Sequence, residues 1–244
     1  MSCATEFAGR MNNMNYNGIK SDDMFLLAMN RFNDNKAFYE ENKEQIKDGV
    51  ILPLRRLVAD LTPTMQKLNP DMILDPVKCI SRVRRDTRYT HDKSLYRENM
   101  WIMFRHAKNR LPTAALWFEI RPTGFEYGCG ILSTTPAFME YYRKKLESDG
   151  DRFSKAVKPL KKAGFEIFAD SYKKSKADIA GISGELKKWY DLKELFVIKR
   201  HQGIEMLDKP EELLELLKKD YASLGKLYAF AHETATEFNT ENIK

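Results

Sequence analysis

Between Arg82 and Arg97 the chain reads Arg-Val-Arg-Arg-Asp-Thr-Arg-Tyr-Thr-His-Asp-Lys-Ser-Leu-Tyr-Arg, with six Arg or Lys against two Asp. Guanidinium groups are planar, permanently charged and present paired N–H donors, a geometry matched to phosphate or carboxylate. The candidate anion ligands are Arg82, Arg85, Arg88, Lys93 and Arg97. Asp86 and Asp92 either orient those cations or accept a proton. Asp86 is the candidate catalytic carboxylate, although no nucleophile stands beside it. Tyr96 is placed to line a pocket, and Tyr89 and Tyr96 offer rings for stacking or hydroxyls for hydrogen bonding. The same residues also fit a plainer role, because Arg–Asp pairs in loops often fix only the shape of the loop.

Other reactive types are weaker candidates. Gly128-Cys129-Gly130 lacks the third glycine of a dinucleotide-binding turn, so its glycines are read as packing or as a close backbone approach. Cys129 has no identifiable base and is read as a buried thiol. His91, His106, His201 and His232 have no metal spacing, and the three cysteines (Cys3, Cys79, Cys129) form neither a zinc pattern nor a disulfide framework. No metal or cofactor is expected. Residues 152–188 carry ten Lys or Arg against four acids, lysine-rich and spread over helix faces, which reads as solvated surface rather than as a nucleic-acid motif.

The elements that position the motif follow from periodicity. Ser21 with Asp22 and Asp23 suits a helix start, and Phe25, Ala28, Met29 and Phe32 form an apolar stripe at helical spacing. Asn33-Asp34-Asn35 interrupts it. A second helical pattern runs past Gly49 and Pro53, where a kink or break is expected, and Thr62-Pro63 reads as another helix start. From Cys79 the period changes to two. Strands are expected at about 79–85, 101–106, 114–121 and 125–131, the last two joined as a hairpin through Arg121-Pro-Thr-Gly124. A further strand is expected at Leu195–Lys199. Helices follow at Thr135-Pro136, at 151–162 before Gly164, and after Asp208 with Leu213, Leu214, Leu216 and Leu217 as its apolar stripe. This is an α+β fold: an antiparallel sheet with N- and C-terminal helices packed on it. Residues 1–20 are expected to form a flexible lead-in and 21–240 a single α+β domain. With a net charge of +6, no signal-peptide stretch and no apolar run long enough for a membrane span, the expected setting is the cytoplasm, away from any membrane.

The central run resembles the signature of a bacterial family of uncharacterised proteins, domain of unknown function 2461. That signature reads Arg, two residues, Arg-Asp-Thr-Arg-Phe, two residues, Asp-Lys, two residues, Tyr-Lys. Arg82, Arg85, Asp86, Thr87, Arg88, Asp92, Lys93 and Tyr96 match it; Tyr89 replaces Phe, Arg97 replaces Lys and Leu95 stands where Pro is usual. The resemblance extends to Asn35–Lys43 and to the glycine-rich strand end at Gly128-Cys-Gly130. It implies no particular reaction. Three readings follow: an anion-binding protein, including an enzyme acting on a phosphorylated or carboxylated small molecule; a nucleic-acid-binding module using the same arginines; or a motif that only braces the fold.

Overall fold

The computed structural model describes residues 15–106 and 111–242. Of the expected lead-in, residues 1–14 lie outside the described residues. Further along, Tyr16 and Ile19 are buried: Tyr16 N–H donates to Asp60 (2.7 Å) and Ile19 N–H to the Leu207 carbonyl (2.9 Å). Packed chain therefore begins before residue 21.

Helix α1 spans Ser21–Asn33, with Lys20 rather than Ser21 at its cap and the Asp23 carboxylate accepting from the Lys20 N–H at 3.2 Å. It stops at Asp34, whose φ of 46° is left-handed, a conformation that Asp and Asn tolerate better than most residues. Asn35 then caps α2 (Lys36–Ile46) by accepting the Phe38 N–H at 2.9 Å. The buried stripe of α1 is Met24, Leu27 and Asn30, whereas Phe25 and Phe32 of the expected stripe are 66% and 82% exposed. Two overlapping apolar sets exist on this helix, and the docking of its two ends decides which one faces inward.

Gly49 and Pro53 widen the chain instead of breaking it. Lys47–Ile51 forms a π turn, which absorbs the missing proline N–H, and α3 (Leu52–Leu68) continues from it. The helix start expected at Thr62-Pro63 is corrected: Pro63 lies inside α3 on its exposed side. Leu57, Val58, Leu61 and Met65 form one buried stripe across it. Fully burying each such side chain contributes about 1.5–3 kcal/mol, enough to outweigh the roughly 3 kcal/mol cost of an interior proline.

The sheet comprises β1 (Met100–Arg105), β2 (Thr113–Arg121), β3 (Gly124–Leu132), β4 (Glu166–Ile167) and β5 (Phe196–Gln202), all antiparallel in the order β1-β2-β3-β5-β4. The strand expected at 79–85 is corrected. Cys79 ends a short helix, α4 (Pro76–Cys79), and the segment after it makes only two isolated bridges, Ile80 to Ile102 and Arg84 to Tyr96. The alternation is present, but the segment leaves the edge of β1 after Ser81 and pairs next with the returning arm of its own loop. Strand β4 had no sequence signal, being only two residues long.

Helix α5 (Pro136–Lys162), capped by the Thr135 hydroxyl at 3.1 Å from the Phe138 N–H, is bent at Asp149; this joins the two helices expected there. Short helices α6 (Lys176–Ile179) and α7 (Glu185–Tyr190) follow. The last helix, α8 (Pro210–Glu241), is preceded by a 3₁₀ turn at Glu205–Asp208, so Lys209 rather than Asp208 stands at its cap. Leu213 and Leu217 of the expected stripe are buried, while Leu214 and Leu216 are half-buried.

Helices α3 and α8 pack on one face of the sheet, and α5 packs on α8. That face carries Ile102, Phe104, Leu116, Phe118, Tyr127, Cys129 and Val197, all buried. By register, Trp101, Met103, Trp117, Glu119, Glu126 and Phe196 point to the opposite face, where they are only half-buried. Gly128 and Gly130 lie between them. A Cβ at Gly128 would collide with the Val197 carbonyl and come within 2.8 Å of the Trp117 ring; at Gly130 it would meet the Phe196 ring and the Leu195 carbonyl. The glycine pair therefore lets two aromatic rings lie against the strand.

Candidate functional site: the arginine hairpin

Residues 83–85 and 95–97 form a short antiparallel ladder, with the Arg85 N–H bonded to the Leu95 carbonyl (2.8 Å) and the Arg97 N–H to Val83 (3.0 Å). The polar run between them is thus the tip of a hairpin. Its base is tied to the N-terminal helices at two points. One Asp34 carboxylate oxygen accepts the N–H groups of Leu95 (2.8 Å) and Tyr96 (3.0 Å). The buried Tyr96 ring stacks on Tyr39 of α2 at 4.8 Å.

Within the hairpin the motif largely neutralises itself. Arg88 forms a two-pronged pair with Asp86, Nε to Oδ1 at 2.9 Å and Nη2 to Oδ2 at 2.7 Å. Arg85 bonds Asp92 and the Ser94 hydroxyl (3.0 Å). Lys93 Nζ donates to the Thr87 carbonyl at 2.9 Å. Hydrogen bonds from Arg88 hold the Asp86 carboxyl down at about 2. For Asp92 the Ser94 N–H and hydroxyl, and then Arg85, do the same, also to about 2. Arg31 of α1 lies 3.6 Å from Asp92. Both acids are exposed, so these pairs shape the loop more than they stabilise the fold.

The expected anion ligands therefore separate into groups. Arg88 and Lys93 are committed inside the loop, Arg85 is shared between Asp92 and Ser94, and Arg82 is exposed beyond them, reaching Asp86 only through its field. Arg97 differs. Its Nε is shielded from solvent with no acceptor among the described residues, and its guanidinium lies over the Trp101 ring at 4.4 Å. Burial, and then the neighbouring Arg85, pull its pKa below that of a free guanidinium, with Glu119 opposing the change. The cations brought together are Arg85 and Arg97, at the base of the hairpin where it meets the open sheet face. Two clefts elsewhere, about 890 Å³ between α5, α7 and α8 and about 670 Å³ beside β4, contain no residue of the motif.

Sequence reasoning missed a second polar cluster on the helix-covered face. Asp220, buried on α8, accepts from the Tyr127 hydroxyl (2.6 Å) and from Lys199 Nζ (2.8 Å), and His201 Nε2 lies 3.2 Å from the same hydroxyl. The parts come from β3, β5 and α8, and no local spacing announces them. An Asp on the otherwise apolar face of α8 was the one available signal. Burial and then Asp220 raise the Tyr127 hydroxyl, while burial and then Lys199 lower His201.

The remaining candidates are inert or scattered. Burial pushes the Cys79 thiol up to about 12 and raises Cys129 as well, so both stay protonated. Lys155, Lys158, Lys161 and Lys162 are exposed along α5, and Lys173 and Lys174 on the loop beyond it. Among the described residues, no three His, Cys, Asp or Glu converge as a metal site, and no helix is long and apolar enough to cross a membrane.

Residues 24–230 match the sequence model of a family described as Conserved hypothetical protein (DUF2461). A search of curated proteins finds no match.

Proposed function

The chain belongs to this family of conserved hypothetical proteins, and from that premise we propose that it binds a small anion, a phosphorylated or carboxylated molecule, between Arg97 and Arg85. The observation that carries this reading is the missing acceptor at Arg97. A half-buried guanidinium with an unmet N–H loses about 1–3 kcal/mol relative to a satisfied one, and a second arginine beside it adds repulsion. An anion lodged there supplies the acceptor and cancels the repulsion together. Binding is favoured over catalysis by Asp86, because a carboxyl at about 2 is a poor general base near neutral pH. The reading treats residues 21–240, with the packed Tyr16 and Ile19 just ahead of them, as one α+β domain, supported by a contiguous core running from Tyr16 to Ala235. It sets the protein in the cytoplasm, supported by two buried free thiols.

Thermal melting with pyrophosphate or citrate tests it. An anion at about 100 times its Kd adds about 2.7 kcal/mol. At about 2–4 °C per kcal/mol for a chain this size, that is a rise of about 5–10 °C. The rise is expected to persist in Arg88→Ala, whose partner is internal, and to vanish in Arg97→Gln. A rise untouched by Arg97→Gln would sink the reading.

A further inference from the structure

We infer that the open face of the sheet binds single-stranded nucleic acid, its bases stacking on an aromatic row that starts at Trp101. The inference rests on the anion reading, with backbone phosphate as the anion at Arg97. Four rings cross the face from β1 to β4. Trp101 carries Arg97 over it, and Trp117 and Phe196 meet edge to face at 5.6 Å above the Gly128–Gly130 trough. Phe168, just beyond β4 and 56% exposed, carries Arg200 over it at 4.6 Å. Cations stacked at both ends of a ring row suit strands whose bases have π faces and whose backbone is anionic. With neighbouring strands about 4.8 Å apart, the five span about 19 Å, room for the two or three bases that a sheet platform takes.

The charged centre of this face argues against a protein partner, since the cores of protein interfaces are depleted in charge. Glu119 and Glu126 stand directly opposite each other on β2 and β3. They are held there by Asn99 (2.7 Å), by Arg121 (2.8 Å to Glu119) and by Arg200 (3.2 Å to Glu126). Paired in this way they repel phosphate less, and their remaining lone pairs accept from exocyclic amino groups such as cytosine N4. Phosphates are then carried at the edge, by Arg97 and the neighbouring Arg85, and the net charge of +6 favours a polyanion.

The test uses the full chain and fluorescein-labelled oligodeoxynucleotides of about 15 nucleotides, of cytosine or of thymine, followed by anisotropy in dilute salt. Expected are binding that weakens steeply with added salt, a preference for the cytosine strand, and about a tenfold loss in each of Phe168→Ala and Trp117→Leu. Phe168 is exposed, so its variant keeps the fold even if Trp117→Leu does not. Equal affinity for a duplex, or affinity indifferent to Phe168→Ala and Trp117→Leu, would overturn the stacking surface. If pyrophosphate still stabilises the protein through Arg97 while no oligonucleotide binds, the nucleic-acid inference fails and the anion reading stands. If neither binds, both fail.

Discussion

Asp34 is where the arginine hairpin is fastened to the N-terminal helices, and its replacement has a calculable cost. One carboxylate oxygen accepts two backbone N–H groups, those of Leu95 and Tyr96, from a residue at φ 46°. Hydrogen bonds to a charged group contribute about 1.5–3 kcal/mol when well buried. Here two donors share one oxygen in a partly exposed site, so about 1 kcal/mol each is the appropriate scale. Alanine in the left-handed region adds about 1 kcal/mol more. Asp34→Ala should therefore cost about 3 kcal/mol, which at about 2–4 °C per kcal/mol lowers Tm by about 6–12 °C. Asn, which keeps an acceptor and tolerates the backbone, should cost about 1 kcal/mol. Gly relieves the strain but loses both bonds, and should fall between the two. Thermal unfolding ranks the three variants, and amide exchange locates the loss: Leu95 and Tyr96 should exchange faster in Asp34→Ala while the amides of β2 and β3 keep their protection. A melting point within a degree of the parent, or Asn as damaging as Ala, would refute this account of the hairpin's attachment.

Two further outcomes follow from packing and titration. Gly128→Ala drives a methyl group into the Val197 carbonyl and the Trp117 ring. Such overpacking should cost about 1–3 kcal/mol or more, seen as a lower Tm together with a shift in tryptophan emission; an unchanged melt would mean the trough can open freely. His201 and His232 are both held below their ordinary range, first by burial and then by Lys199 and His106 respectively. A depressed histidine binds its proton more readily in the unfolded chain, so its contribution is present above about 6.5 and is lost as pH falls below that value. Tm should therefore drop between pH 7.5 and 5.5, with part of the slope removed in His201→Gln. The acids held near 2 (Asp86, Asp92 and Glu233) release their contributions only below about pH 4 and leave this window clear. A Tm that is flat or rising toward pH 5.5 contradicts the assignment.

What the amino-acid order determined by itself is whatever depends on neighbours a few positions apart. The Arg121–Gly124 turn, the alternation of Leu116, Phe118 and Ile120 against Trp117, Glu119 and Arg121, the caps at Asn35 and Thr135, and the family signature at Arg82–Arg97 all belong to this class. Tertiary structure decided everything that needed a partner from far along the chain. Which face of α1 turns inward depends on how its ends dock, so Met24 and Leu27 are buried in place of Phe25 and Phe32. The alternation from Cys79 to Arg85 was visible, but its division between β1 and Tyr96 was not, because bridge partners are set by where the loop returns. The Tyr127–Asp220–Lys199 cluster joins three separate elements, each ordinary alone. For the arginines, the sequence counts charges without saying where each one is satisfied. Arg88 reaches Asp86 two residues away, whereas Arg97 is left stacked on Trp101 with no acceptor for its Nε among the described residues. Desolvation and hydrogen-bond satisfaction are properties of the folded surroundings, and within the motif these single out Arg97 from arginines of the same type.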